Sequence, residues 1–275
     1  MSKVFIGVGH GGSDPGAVAN GIKESHANLD VAKACIDVLE AHGVDTMISR
    51  TSDVSEDLTV RIKECNAFKP DLAADIHHNA GGGDGAEVYH ARNNSNDDAL
   101  AKNILDEIVK IGQNSRGLKT KTTSSGADYF GFIRQVNCPS VLVECAFLDN
   151  KNDVKIVDTL AERKKMGEAI AKGFLKTLGI AYKADAKKPE PIKAETFLHS
   201  RGYFKKGDVS PNVGKIAAFM RRVFPSYTSR YALGNTYGPY LIAAVTEFQR
   251  RTGLEPDGYF GPLTLAKLES FGFKK

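Results

Sequence analysis

VFIGVGHGGSDPGA, residues 4–17, decides the fold. Its apolar start, Val4–Gly9, has the length of one buried strand and runs straight into a glycine-rich loop carrying His10. The segments that follow alternate in period. NLDVAKACIDVLEAH (28–42) places Leu29, Ala32, Ile36 and Leu39 on one helical face, and Gly43 stops it. Thr46–Ser49 predicts a strand, Leu58–Phe68 a helix stopped by Pro70, and Leu72–His77 and Glu87–His90 two more strands. Asp97–Ile111 predicts a helix, Tyr129–Val136 and Ser140–Ala146 strands, and Leu160–Leu178 a last helix closed by Gly179. This order predicts an α/β domain, a mostly parallel twisted sheet with helices on both faces. In such a sheet a ligand sits beyond the carboxyl ends of the strands.

The pattern stops at KADAKKPEPIKA, residues 183–194, which is charged, holds a Pro-Glu-Pro step and has no hydrophobic period. It reads as a semi-extended linker. Beyond it, Val213–Phe224, Pro239–Arg251 and Pro262–Phe271 predict the helices of a small, mostly helical domain. The expected division is therefore 1–182, a linker at 183–194, and 195–275.

Across 275 residues, 41% are hydrophobic and 25% charged, which excludes a largely disordered chain. No apolar run approaches the ~20 residues a membrane helix needs, so membrane insertion is not expected. Met-Ser-Lys ahead of Val4 is too short for a signal peptide, and the expectation is a chain made in the cytoplasm and released by another route. Four cysteines, Cys35, Cys65, Cys138 and Cys145, lack CxxC spacing and sit in apolar segments, so reduced thiols are expected. The net charge of +4 divides unevenly: residues 1–182 carry −4 and residues 183–275 carry +8. A basic half suits anionic partners such as nucleic acid, an anionic membrane surface or anionic wall polymers, or is simply a solvated surface.

Four short stretches carry candidate chemistry: His10 in the glycine-rich loop, Glu24 in GIKES just ahead of a helix, the histidines of ADIHHNA (74–80), and Glu144 in SVLVECAFLDN (140–150). A carboxylate inside an apolar strand is costly unless it is paired, metal-bound or functional. Two strands ending in histidine, together with two carboxylates, supply the ligand set of a catalytic zinc site, which takes three protein ligands and leaves one position for water. Taken singly, His10 reads as a loop residue and Glu24 as a carboxylate favoured at a helix start. A dinucleotide fingerprint fits at Gly7, Gly9 and Gly12, but His10 lies inside it and the second strand ends in Arg50 rather than an acid.

In order along the chain, GHGGSDPGA, GIKESHANL, SRTSD with Arg61 after it, ADIHHNA and IRQVNCPSVLVECAFLDNKND resemble the zinc-dependent N-acetylmuramoyl-L-alanine amidases of the amidase-3 class. The resemblance covers essentially all of residues 1–179. It implies Zn²⁺ bound by His10, Glu24 and a histidine of the third block, with Glu144 as the catalytic carboxylate. The family usually has Ser-Ile-His-x-Asn in that block; here Asp75 replaces the serine and the x position is a second histidine. Register against Asn79 assigns the ligand to His77. Strand alternation sends His77 and His78 to opposite faces, so only one can serve a given site. In the last block Cys145 and Ala146 stand where the family has a small residue and glycine, a change that leaves Glu144 in place.

Tyr240–Leu268 resembles wall-binding modules of the peptidoglycan-binding-1 type, through Phe248–Gln249, Gly253–Leu254, Asp257–Gly258 and Gly261 with Thr264. The two resemblances together imply a peptidoglycan hydrolase that looks like a bacteriophage endolysin. Its partners would be bacterial peptidoglycan and anionic wall polymers, with no role for nucleic acid. A zinc peptidase cutting the stem peptide would use the same ligand types. A non-catalytic wall-binding protein would not need Glu144. Arg134 is a candidate for substrate contact, weighed against an ordinary surface arginine.

Overall fold

The structure is a computed structural model that describes residues 2–92, 94–186, 197–232 and 234–275. Most of the expected linker, residues 187–194, lies outside the described residues. The chain separates into two units, Met1–Lys188 and Pro189–Lys275.

In the first unit the elements run β1 (Lys3–Val8), β2 (Val18–Ala19), β3 (Ile22–Lys23), α1 (Glu24–Ala41), β4 (Asp45–Ile48), α2 (Leu58–Phe68), β5 (Leu72–Asn79), β6 (Ala86–His90), α3 (Ser95–Lys110), β7 (Ser115–Lys119), α4 (Gly131–Gln135), β8 (Ser140–Phe147) and α5 (Leu160–Thr177). Six strands form one sheet in the order β4-β1-β5-β8-β6-β7, with β2 and β3 as a separate hairpin. All neighbours in the large sheet are parallel except β8 and β6. From β1 the chain steps first to β4 on one side and then to β5 on the other. The strand order therefore reverses between β1 and β5, where open α/β sheets hold their ligands.

Alternation along the strands makes the two faces. Val4, Ile6, Val8, Ala74, Ile76, Val141 and Val143 share a fully buried apolar cluster with residues of α1, α3 and α5. On the opposite side Phe5 stacks on Phe132 of α4, and α2 packs with α4. That second cover is short. It leaves room above the sheet for His77, Glu144 and Glu87, which follow the same alternation.

The structure departs from the expectations for this unit in three places. Tyr129–Val136 is not a strand: Gly131–Gln135 is helical, with Phe132 and Ile133 buried, because GFIRQ is one apolar turn covering the sheet rather than joining it. Ser115–Lys119 is an edge strand that its polar composition conceals. α1 also begins four residues earlier than its apolar period suggests, at Glu24 itself. The four cysteines are free thiols, three buried and Cys138 half-buried.

The second unit holds α6 (Pro211–Val223), α7 (Pro239–Arg251) and α8 (Pro262–Ser270). Each starts with proline, which fits a first turn whose N–H groups have no helical partner. Phe204, Val213, Met220, Phe224, Leu241, Val245, Phe248 and Leu268 make its core. No helix among the described residues is long and apolar enough to cross a membrane.

Candidate active site

The end of β1 and the end of β5 come together closely. A methyl group on Gly9 would lie 2.2 Å from the ring of His77, so only glycine fits there. His10, the next residue, has a left-handed backbone (φ 59°) that turns its ring back over the sheet. The His10 and His77 rings meet edge-on, 5.0 Å between centroids. Glu24, the first residue of α1 and 4% exposed, reaches both. Its Oε1 is 3.2 Å from His10 Nε2 and 3.0 Å from His77 Nδ1, and Oε2 accepts the N–H of Ala17 at 2.9 Å. One donor atom from each of His10, Glu24 and His77 lies within 4.8 Å of the others.

Each imidazole has a carboxylate on its far nitrogen. Asp14 Oδ2 is 2.8 Å from His10 Nδ1, and Asp75 Oδ2 is 3.5 Å from His77 Nε2. Asp75 is itself held by Arg61, whose Nη1 donates to both carboxylate oxygens at 3.0 Å. A carboxylate on the outer nitrogen fixes tautomer and ring orientation, the usual support of a metal-binding histidine. The donor set, two imidazoles and a carboxylate with oriented rings, thus fits a divalent metal of the zinc type.

The electrostatics follow from this crowding. Burial would raise the Glu24 carboxyl, but the hydrogen bonds from His10 and His77 prevail and hold it far below the carboxylate range. Burial disfavours a charged His77, yet Asp75 and Glu24 push its pKa up to about 10. His78 behaves in the opposite way. Its ring lies on the core side, with Nδ1 2.7 Å from Asn28 Oδ1, and burial pushes its pKa down to about 4. Only its backbone reaches the cluster, through an N–H donated to Glu24 Oε1 at 3.1 Å.

Glu144 sits opposite His77 in the β5–β8 register. Its Oε2 is buried and has no hydrogen-bond partner among the described residues. Burial first, and then the nearby charges of Glu24 and Glu87, push its pKa up to about 7 despite the proximity of His77. All four residues singled out in the sequence therefore converge. Asp14 and Asp75 went unrecognised as supports, although each has a local signal: four residues after His10, and two before His77 on the same strand face. Arg50, which the sequence offers as a strand end and as part of the SRTSD block, has a structural task that neither reading names. Its buried guanidinium donates to the carbonyls of Gly9 at 2.9 Å and Ser25 at 2.7 Å, tying the loop after β1 to the start of α1. Arg134 donates to the carbonyls of Asp128 and Tyr129 and so secures its own loop, the ordinary structural role.

In the second unit the motif residues form one internal network. Gln249 Nε2 donates to Asp257 Oδ1, to the carbonyl of Tyr259 and to Thr264 Oγ1, while its Oε1 accepts the Gly258 N–H. This network knits α7 to α8 beneath a cavity of about 490 Å³ that Tyr203, Tyr259, Leu254 and Leu263 help to line.

The N-acetylmuramoyl-L-alanine amidase family model matches residues 4–176, and a peptidoglycan binding domain model matches residues 227–268. The N-acetylmuramoyl-L-alanine amidase CwlM of Bacillus licheniformis is 34% identical over 190 residues, 68% of this chain and 72% of the relative. The endolysin of Bacillus phage SPP1 is 32% identical over 200 residues, 69% of this chain and 71% of the endolysin. Among solved structures, the amidase AmiC2 of Nostoc punctiforme superposes with a TM-score of 0.59 at 28% identity, over 65% of this chain and 97% of that one.

Proposed function

The chain belongs to the N-acetylmuramoyl-L-alanine amidase family, and from that premise we propose that it hydrolyses the amide between the lactyl group of N-acetylmuramic acid and the L-alanine of the peptidoglycan stem peptide. His10, Glu24 and His77 would hold Zn²⁺. The ion, when bound, supplies Lewis-acid polarisation of the scissile carbonyl and a lowered pKa for water. Asp14 and Asp75 keep the two imidazoles in the orientation that ligation needs. Glu144 takes a proton from the attacking water through Oε2 and passes it to the leaving amine of L-alanine. A carboxylate whose proton affinity lies near neutrality suits both halves of that task.

The observation that carries this reading is Glu144 Oε2, a buried acceptor on the residue opposite His77 with no hydrogen-bond partner among the described residues. A carboxylate placed for structure alone would be paired.

The second unit would hold the enzyme on the wall. Its match to a peptidoglycan binding domain and its aromatic cavity support that role. A lytic role, with the chain made in a host cytoplasm and acting on the wall after release, rests on the similarity to the phage endolysin.

Mass analysis of digested wall tests the reaction. The amidase exposes a new N-terminal alanine on the stem peptide and leaves the lactyl carboxylate on the sugar. A peptidase acting within the stem would leave the sugar–alanine bond intact, and that product would replace the present reading.

A further inference from the structure

Beside Glu144, on the same face of the sheet and one strand further from the His10–Glu24–His77 cluster, the fold builds a second charged group. Glu87 of β6 stands opposite Glu144 in the antiparallel register, so the two carboxylates share a face. Glu87 is buried, and its Oε1 is 2.6 Å from Nε of Arg116, while its Oε2 accepts the Tyr89 hydroxyl at 3.1 Å. Arg116 comes from the edge strand β7, where a bulge directs it. Ala86 pairs with Ser115 and Val88 with Leu118, so Arg116 and Gly117 together oppose Glu87. Gly117 takes φ 87°, the left-handed conformation that lets the extra residue into the strand. The guanidinium also lies over the Phe147 ring, 5.0 Å from its centroid.

The Arg116 side chain is nevertheless 39% exposed, and its Nη1 and Nη2 make no hydrogen bond among the described residues. Here one edge, Nε, holds Glu87, and the two terminal nitrogens remain available. That end of the guanidinium matches a carboxylate in a planar, two-bond geometry.

Building on the amidase reading, we propose that Arg116 determines specificity by binding a carboxylate of the substrate's peptide portion. Glu87, Tyr89 and Phe147 would fix its position beside Glu144. The chemical class selected is an acidic peptide on the leaving-amine side of the scissile bond. Arg116 acts in binding and orientation, and takes no part in proton transfer.

The test compares two soluble muropeptides, identical except that one carries its peptide carboxylates free and the other carries them as primary amides. kcat and KM are measured for the full-length wild type, Arg116→Gln and Arg116→Lys, by the appearance of the free alanine amine. The wild type is expected to favour the acidic substrate by about tenfold to a hundredfold, the size of one charge-assisted hydrogen-bonded pair. Arg116→Gln should lose that preference, its kcat/KM falling more on the acidic substrate than on the amidated one and mainly through KM. Arg116→Lys should keep part of it. An equal loss on both substrates would make Arg116 a structural partner of Glu87 and overturn the proposal, as would a wild type indifferent to amidation. A wild type that releases alanine amine from neither substrate would overturn the amidase reading itself, and the Arg116 assignment with it.

Discussion

Asp75 and His77 stand two residues apart on the same face of β5, with Asp75 Oδ2 3.5 Å from His77 Nε2. Nδ1 of the same ring is the atom turned to Glu24. Asp75→Ala removes the group that orients the ring and leaves Arg61 with Glu56 as its acidic neighbour. Zinc affinity is expected to fall about 10–100-fold, the usual cost of losing such a support. Competition with a chromophoric chelator measures it. Asp75→Asn retains an oxygen for Arg61 and should fold normally, with an intermediate affinity. Unchanged affinity in both variants would remove Asp75 from the site.

His77 and His78 separate cleanly. His77→Ala should lose bound zinc and activity together, whereas His78→Ala should keep zinc near one per chain. His78→Ala should also melt at a lower temperature, because its ring is buried against Asn28. Chelation of the wild type should abolish turnover and added Zn²⁺ restore it. Full turnover by protein shown to be free of metal would refute the zinc requirement.

Glu144→Gln keeps shape and removes the proton acceptor. Turnover should drop 10²–10⁴-fold with zinc retained. Stability supplies an independent check on metal-free protein. Burial raises the folded Glu144 carboxyl from 4.5 to about 7, so the folded state holds this proton more tightly than the unfolded state. That proton's contribution to the stability of the wild type is therefore present below about 4.5 and is lost as pH rises through about 7. Glu144→Gln is free of the effect. Its melting temperature should match the wild type near pH 4 and exceed it near pH 8. A constant difference across that range would mean that Glu144 titrates normally.

Wall binding can be read in a Glu144→Gln background, whose expected 10²–10⁴-fold slower turnover spares the target during the assay. Tyr259→Ala, at the cavity of the second unit, should weaken sedimentation with susceptible wall roughly tenfold, as the loss of one aromatic contact of about 1.4 kcal/mol would. Added salt should weaken binding further, given the basic charge of residues 183–275. Undiminished binding by Tyr259→Ala would place the contact elsewhere.

What the sequence disclosed depended on whether the physics was local. Glu144 was legible because a carboxylate in SVLVECAF has an obvious cost, whereas strand alternation only split His77 from His78 and the register against Asn79, taken from the family resemblance, chose between them. The parallel sheet followed from the alternation of periods. The helix at Gly131–Gln135 was not legible, since five residues of mostly apolar chain carry no period that separates a helical turn from a strand. β7 was hidden because an edge strand can be polar. Arg50, Arg61, Glu87 and Arg116 owe their roles to partners on other elements, or to a bulge that only pairing creates. Their surroundings exist only after the fold does.

Arg50 sits among the carbonyls of Val8, Gly9, Ser25 and Ser52, drawing three segments onto one guanidinium. Glycine-rich loops ordinarily open by local fluctuation, far below the energy of global unfolding. Here the loop bearing His10 cannot lift without stripping buried carbonyls of their donor. Its slow amide exchange should therefore follow the core strands rather than the surface. The ligand cluster would then be a rigid frame that exists before any ion arrives, and the ion would add little order of its own.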